Sequence, residues 1–211
     1  MSRHGRLLNP DETFMTDRRS DPRLAQALAM AAEMEGDELP VPAADASYKD
    51  CLAYCAEMEA RFDLLNPIME EAMPNYDGIS NTTEVIKGVD GNDIPLYVHL
   101  PATGTPPGPC VVHTHGGGMV LMTAVDPGFR RWRNDLASAG MRVVGVEFRN
   151  GGGKLGNHPF PAGLNDCASA VKWVHENRER LGVTAIVISG ESGGGNLSIA
   201  TTLKAKQEGW V

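Results

Sequence analysis

No stretch of this 211-residue sequence approaches the ~18 uninterrupted apolar residues of a membrane-spanning helix, so no such helix is expected. The opening residues, MSRHGRLLNPDETF, have no apolar run of the kind that marks a secretory signal. A soluble, cytoplasmic protein is the expectation. Positive charge is short: 19 Lys and Arg stand against 27 Asp and Glu, a formal charge of −8. With no Lys/Arg cluster to set against that balance, a nucleic-acid surface is not expected. The four cysteines, Cys51, Cys55, Cys110 and Cys167, form no zinc pattern. Cys51 and Cys55 are four apart, share one face of a helix, and read as small apolar residues. Buried reduced thiols are expected rather than disulfides. A phosphate loop is missing too, because the nearest match, GGGKLG, puts Leu155 where a hydroxyl is required.

What is present is ordinary in bulk and specific in detail. Hydrophobic residues make up 42% and charged residues 22% of the chain, enough for one sizeable core. Residues 1–20 are polar and aperiodic. Asp21–Pro22 then opens a helix with an apolar stripe at Leu24, Leu28, Ala31 and Met34. Ser47 and Asp50 fit a capping box for a second helix, whose apolar positions run from Tyr48 to Leu65 until Asn66–Pro67 ends it. From residue 82 the texture changes. TTEVIKGVDGNDIPLYVHL reads as two strands around a turn at Asp90–Gly91. CVVHTH, MRVVGVEF and TAIVIS read as buried strands, and helices lie between and after them. One of those helices runs to Gly182, and the last begins at Ser192. Alternating strands and helices from residue 110 onward mean βαβ units and a mostly parallel sheet, an α/β fold.

Function in such a sheet gathers where strands turn into helices. At one such turn GESGG places Gly190 and Gly194 two residues either side of Ser192, a G-x-S-x-G elbow. A serine on a sharp strand-to-helix turn needs neighbours without side chains, and the helix N-terminus favours developing negative charge. Read alone, the match also fits an inert turn. The second motif, HTHGGGM, offers three successive glycines, Gly116, Gly117 and Gly118, with unshielded N–H groups suited to an oxyanion hole. A flexible loop is the plainer reading. His113 and His115 share a strand face, but with no third ligand in view no metal site is assigned.

HGGG after one strand, HPFPAGLNDCASAVKWVHEN before a helix, and GESGGGNL at the elbow together resemble the bacterial hormone-sensitive-lipase-like esterases. FRNGGG in place of the usual Tyr-Arg-Leu-Ala-Pro-Glu run points to their brefeldin-type branch. The resemblance covers residues 80–210 well and the N-terminal helices loosely. It implies an α/β-hydrolase fold with a helical cap over residues 1–80 and the hydrolase core over 81–211. It further implies a carboxylic ester hydrolase with Ser192 as nucleophile and the N–H groups of Gly117, Gly118 and Gly193 as oxyanion donors. His115 would brace the glycine loop and His158 would be structural, with no cofactor and no metal required. Met119 stands where an aromatic residue is frequent. Gly193 stands where alanine is usual, which reads as a mild change for a backbone donor.

The triad is incomplete. In α/β-hydrolases the acid and the histidine follow the serine, yet all six histidines, His4, His99, His113, His115, His158 and His175, precede Ser192, and the only later carboxylate is Glu208. The expectation is therefore a chain truncated after the elbow and inactive alone. AIVIS would then be a bare apolar edge, open to pairing with a second copy as a homodimer. The expected partner is a small or hydrophobic ester or lactone, in a pocket lined by Met119, Val120, Leu121, Met122 and the capping helices. The alternative is a non-catalytic small-molecule-binding protein on the same scaffold.

Overall fold

The structure, a computed structural model, describes residues 13, 15–35 and 39–210, with the side chains of 31–35 outside the description. His4, most of the polar N-terminal stretch, and Ala31 and Met34 of the first apolar stripe therefore lie outside the described residues. The chain divides into two compact units, 1–41 and 42–211. In the first, helix α1 spans Pro22–Glu35, opened by Asp21 Oδ1 accepting the Arg23 N–H at 2.9 Å. Leu24 and Leu28 of the expected stripe are half exposed.

The second unit begins with α2, Tyr48–Asp63, capped by Ser47, whose Oγ accepts the Asp50 N–H at 3.2 Å and donates to Asp50 Oδ2 at 2.7 Å. The reciprocal bond of a capping box would go to the Ser47 N–H. Here it runs side chain to side chain. The helical run does not end at Asn66–Pro67 as read from the sequence. It ends at Asp63, and α3 starts at Asn66 and runs to Glu71. Proline at the first turn lacks only an N–H that has no intrahelical partner there.

Strands β1, Ser80–Lys87, and β2, Asp93–Leu100, form the expected hairpin, turned by Gly91 at φ +78°. The remaining elements are β3 Gly108–Thr114, α4 Pro127–Ser138, β4 Arg142–Val146, α5 Ala162–Glu176, α6 Arg178–Leu181, β5 Val183–Gly190 and α7 Gly193–Glu208. One helix was expected up to Gly182. Instead it breaks at Asn177, whose side-chain amide bonds the Trp173 carbonyl at 2.9 Å and competes with the helical ladder.

The sheet order is β1-β2-β4-β3-β5. β3 pairs in parallel with β4 and β5, while β2 runs antiparallel to both its neighbours. Every residue of β3 from Cys110 to Thr114 is buried, as its interior place between β4 and β5 requires. Around it lies one apolar core: Ile94, Leu96 and Val98 of β2, Val144 and Val146 of β4, and Val171 and Val174 of α5. Cys110 and Cys167 are buried free thiols, and burial pushes Cys110 up to about 12. Cys51 and Cys55 are free as well but only half buried.

Candidate active site

β3 and β5 are paired neighbours, with Thr114 opposite Gly190, so their carboxyl ends deliver two loops to one place. The first loop begins at His115, and the second is the elbow Gly190–Gly194. Their approach is close enough to dictate composition. A Cβ on Gly190 would meet Thr114 O at 2.3 Å, and one on Gly194 would meet it at 1.9 Å. That is the physical content of the glycines two residues from Ser192. Ser192 itself has φ +52° and ψ −116° at the N-cap of α7, and its side chain is exposed.

Gly193 departs from the sequence reading. A Cβ there would stand 2.8 Å from Gly118 N, Gly118 Cα and Met119 N. Alanine for glycine is thus no mild exchange in this chain, because the two loops touch backbone to backbone. Gly117, at φ +101°, has no more room: a Cβ would meet Leu121 O at 2.1 Å. The turn closes through the N–H groups of Val120 and Leu121, both donating to Gly117 O at 3.1 Å. No hydrogen bond from the N–H of Gly117, Gly118 or Gly193 is formed among the described residues. Among the described residues three non-glycine residues have positive φ, Met119, Met122 and Ser192, and all three sit on these two loops.

Beneath the loops lies a buried polar cluster that spacing did not reveal. His115 is fully buried, stacks on Phe148 at 4.2 Å, and its Nδ1–H donates to Gly116 O at 2.8 Å. Burial holds it down to about 4, so it is uncharged near neutrality. Its Nε2 has no partner and lies 3.7 Å from Glu147, too far for a hydrogen bond. Glu147 accepts the Ala124 N–H at 2.7 Å and the Tyr97 hydroxyl at 3.2 Å, and burial raises it to about 7. Arg133, from α4, donates to His99 Nε2 at 2.9 Å and approaches His113 Nδ1 at 3.4 Å. His113 Nε2–H in turn donates to Glu191 at 2.8 Å. Burial works against the Glu191 charge, but the His113 hydrogen bond wins and holds it below the usual carboxylate range.

Four of the five described histidines have polar partners at their rings. His99 and His113 belong to the Arg133 chain and His115 to the glycine loop, while His175 lies on α5 beside Arg178 at 3.4 Å. His158 is exposed, with its ring against Gly156. No described histidine is hydrogen-bonded to Ser192. Glu208 ends α7, paired with Lys172 and Lys204, about 24 Å along the helix from the elbow at 1.5 Å per residue.

Two cavities matter. One of about 230 Å³, lined by Phe62, Leu65, Met69, Met122 and Phe129, adjoins the glycine loop through Met122 and through Phe129, whose Cζ is 3.7 Å from where a Gly116 Cβ would be. Of the four lining residues expected from the sequence, only Met122 faces it. A larger cleft of about 580 Å³, between α5, β5 and α7, shares no residue with either loop.

Residues 111–211 match the family model described as alpha/beta hydrolase fold. Carboxylesterase NlhH of Mycobacterium tuberculosis (strain CDC 1551 / Oshkosh) is 33% identical over 145 residues, 67% of this chain and 40% of its own length. Hormone-sensitive lipase of Mus musculus is 33% identical over 103 residues, 47% of this chain and 13% of its length. Among solved structures, brefeldin A esterase, a bacterial homologue of human hormone sensitive lipase, superposes with a TM-score of 0.82 at 41% identity. The match covers 99% of this chain and 58% of that one. Esterase Est22 gives 0.78 at 34%, over 93% and 58%. The chain thus spans well under two thirds of these relatives' lengths.

Proposed function

We propose that this chain, which carries the α/β-hydrolase fold of the hormone-sensitive-lipase-like esterases, is the nucleophile-bearing part of a serine carboxylic ester hydrolase. The observation that carries this is the contact of the two loops. A Cβ added at Gly193 of the elbow would stand 2.8 Å from backbone atoms of Gly118 and Met119, and among the described residues the positive-φ non-glycine backbone is confined to these two loops. Strain of about 1–3 kcal/mol per residue persists only where the surroundings over-determine it, and it clusters at functional sites.

In this reading Ser192 Oγ attacks the ester carbonyl carbon, and the carbonyl π electrons move onto the oxygen. The N–H groups of Gly117, Gly118 and Gly193 hydrogen-bond that oxyanion as it forms. Collapse expels the alkoxide, which takes up the proton removed from Ser192 and leaves as the alcohol, and water later cleaves the acyl-enzyme to the acid and free Ser192. His115, uncharged and stacked, fixes the glycine turn and does not exchange protons. Taking the Ser192 proton needs a base, and none of the described histidines reaches it. The base and its carboxylate come from outside the described residues. The acyl or alkyl group occupies the 230 Å³ cavity, against about 150 Å³ for a cavity that holds benzene. Apolar groups of ring size fit it.

The test is fluorophosphonate labelling of the 211-residue chain read by intact mass, with and without added imidazole as a free base. Slow labelling that imidazole accelerates, and that Ser192→Ala abolishes, is expected. Rapid labelling without imidazole would place the base inside this chain and overturn the missing-base part. A folded chain left unlabelled under both conditions would favour a small-molecule-binding protein on the same scaffold.

A further inference from the structure

Glu59 lies on α2 at 3% exposure, and among the described residues no cation pairs with it. Its Oε1 accepts the N–H of Met122 at 2.7 Å, and its Oε2 accepts the N–H of Lys154 at 2.6 Å. A carboxylate withdrawn from water is tolerated only where its lone pairs are filled. Here both partners are backbone groups, taken from two separate loops. Met122, at φ +69°, closes the turn that starts at Gly117. Lys154 belongs to the glycine-rich loop 150–156, which grips the same turn from the other side. There the Gly151 N–H donates to Met119 O at 2.8 Å and the Asn150 side-chain amide to Met122 O at 2.9 Å. Gly153 is the counterpart of the carboxylate, since a Cβ there would come within 2.7 Å of Glu59 Oε2. One turn further along α2, Asp63 takes Lys154 Nζ at 2.6 Å.

We infer that Glu59 is a positioning residue: it latches α2 to the turn 117–122 and so sets the N–H groups of Gly117 and Gly118 against Ser192. Its catalytic consequence rests on the acyl-transfer reading, whereas the latch itself does not. Donors aimed at an oxyanion act on the charge that develops in the transition state, so loosening them slows bond formation and leaves prior binding alone.

Glu59→Gln keeps the shape but turns an NH2 group toward one of the two N–H donors. Two readouts are made on the 211-residue chain. The first is amide hydrogen exchange at Met122, Lys154 and residues 117–121. The second is fluorophosphonate labelling of Ser192 under saturating imidazole, resolved into kinact and KI. Exchange at least tenfold faster in both loops is expected, with kinact down tenfold or more and KI within twofold. Lys49→Ala, at an exposed position of the same helix, is expected to change neither. Unchanged exchange in residues 117–122 overturns the latch. Faster exchange with unchanged kinact, or an effect confined to KI, overturns the positioning role. If the parent chain takes no label even with imidazole, the acyl-transfer reading falls and exchange alone decides whether Glu59 holds the turn. Should Glu59→Gln fail to fold, Glu59→Asp, one methylene short of the two donors, is put through the same measurements.

Discussion

At the scale of single residues, the two loops leave no room for a side chain where they meet. Gly193→Ala adds a Cβ 2.8 Å from three backbone atoms of Gly118 and Met119, and backbone cannot rotate aside as a side chain can. We predict a loss of about 1–3 kcal/mol, the range for overpacking, measured by urea unfolding, and at least tenfold slower labelling of Ser192. The buried titratable groups below make a second prediction, on pH. Burial, aided by the charge of Arg133, holds His99 down to about 4, and burial holds His115 there too. Their contribution is present above about 6.5 and is lost as pH falls toward 4. Glu147 works in the opposite sense. Raised by burial from 4.5 to about 7, its contribution is full below about 4.5 and is lost as pH rises through 7. Glu147→Gln removes that second slope and keeps an acceptor for the Ala124 N–H. It should therefore be more stable than the parent at pH 8 by up to about 3 kcal/mol, with the gap shrinking at pH 5. Equal differences at both pH values would contradict the assignment.

At the scale of elements, α4 is fixed to the sheet by Arg133, which lies flat over Gly145 of β4. A Cβ on Gly145 would meet the Arg133 Cδ and Nε at 2.8 Å and Cζ at 2.9 Å. Gly145→Ala should push the guanidinium off His99 and off the Ala124 carbonyl, which it bonds at 2.6 Å, leaving a buried charge short of partners. A loss of about 3 kcal/mol or more is predicted, read as a lowered unfolding midpoint, and a change under 0.5 kcal/mol would contradict this packing. Elements with strong local grammar were legible in the sequence. The hairpin turn at Gly91, the Ser47 cap and the five strands follow from patterns within a few residues. The break at Asn177 and the separate α3 were not, because a side chain competing with a helix leaves no change in apolar period. The site divides in the same way. The elbow around Ser192 and the glycine turn at 116–118 were legible as tight turns because such turns demand glycine at fixed spacing. Glu59, Glu147 and Arg133 were missed because they act across the chain, Glu59 over separations of 63 and 95 residues.

At the scale of the whole molecule, β5 pairs among the described residues with β3 alone and forms one edge of the sheet. Val187 on it is 50% exposed, and α7 shows Ile199 and Leu203 at 65% and 56%. An apolar edge with unpaired backbone groups templates further pairing, so the chain is predicted to associate with rising concentration. Val187→Lys should suppress that association in light scattering, and an unchanged mass distribution would show the edge is not the route. The opposite edge, β1, carries polar and charged residues, as in SNTTE, and gives no such driving force. Between these edges the parallel strands β3 and β5 bring the glycine turn to the serine. The most direct measurement of the account is the crystal structure of the fluorophosphonate adduct formed with imidazole present. The prediction is phosphorus bonded to Ser192 Oγ, with the phosphoryl oxygen about 2.7–3.1 Å from the N–H groups of Gly117, Gly118 and Gly193. Phosphorus on another residue, or a phosphoryl oxygen turned away from the glycine turn, would contradict it.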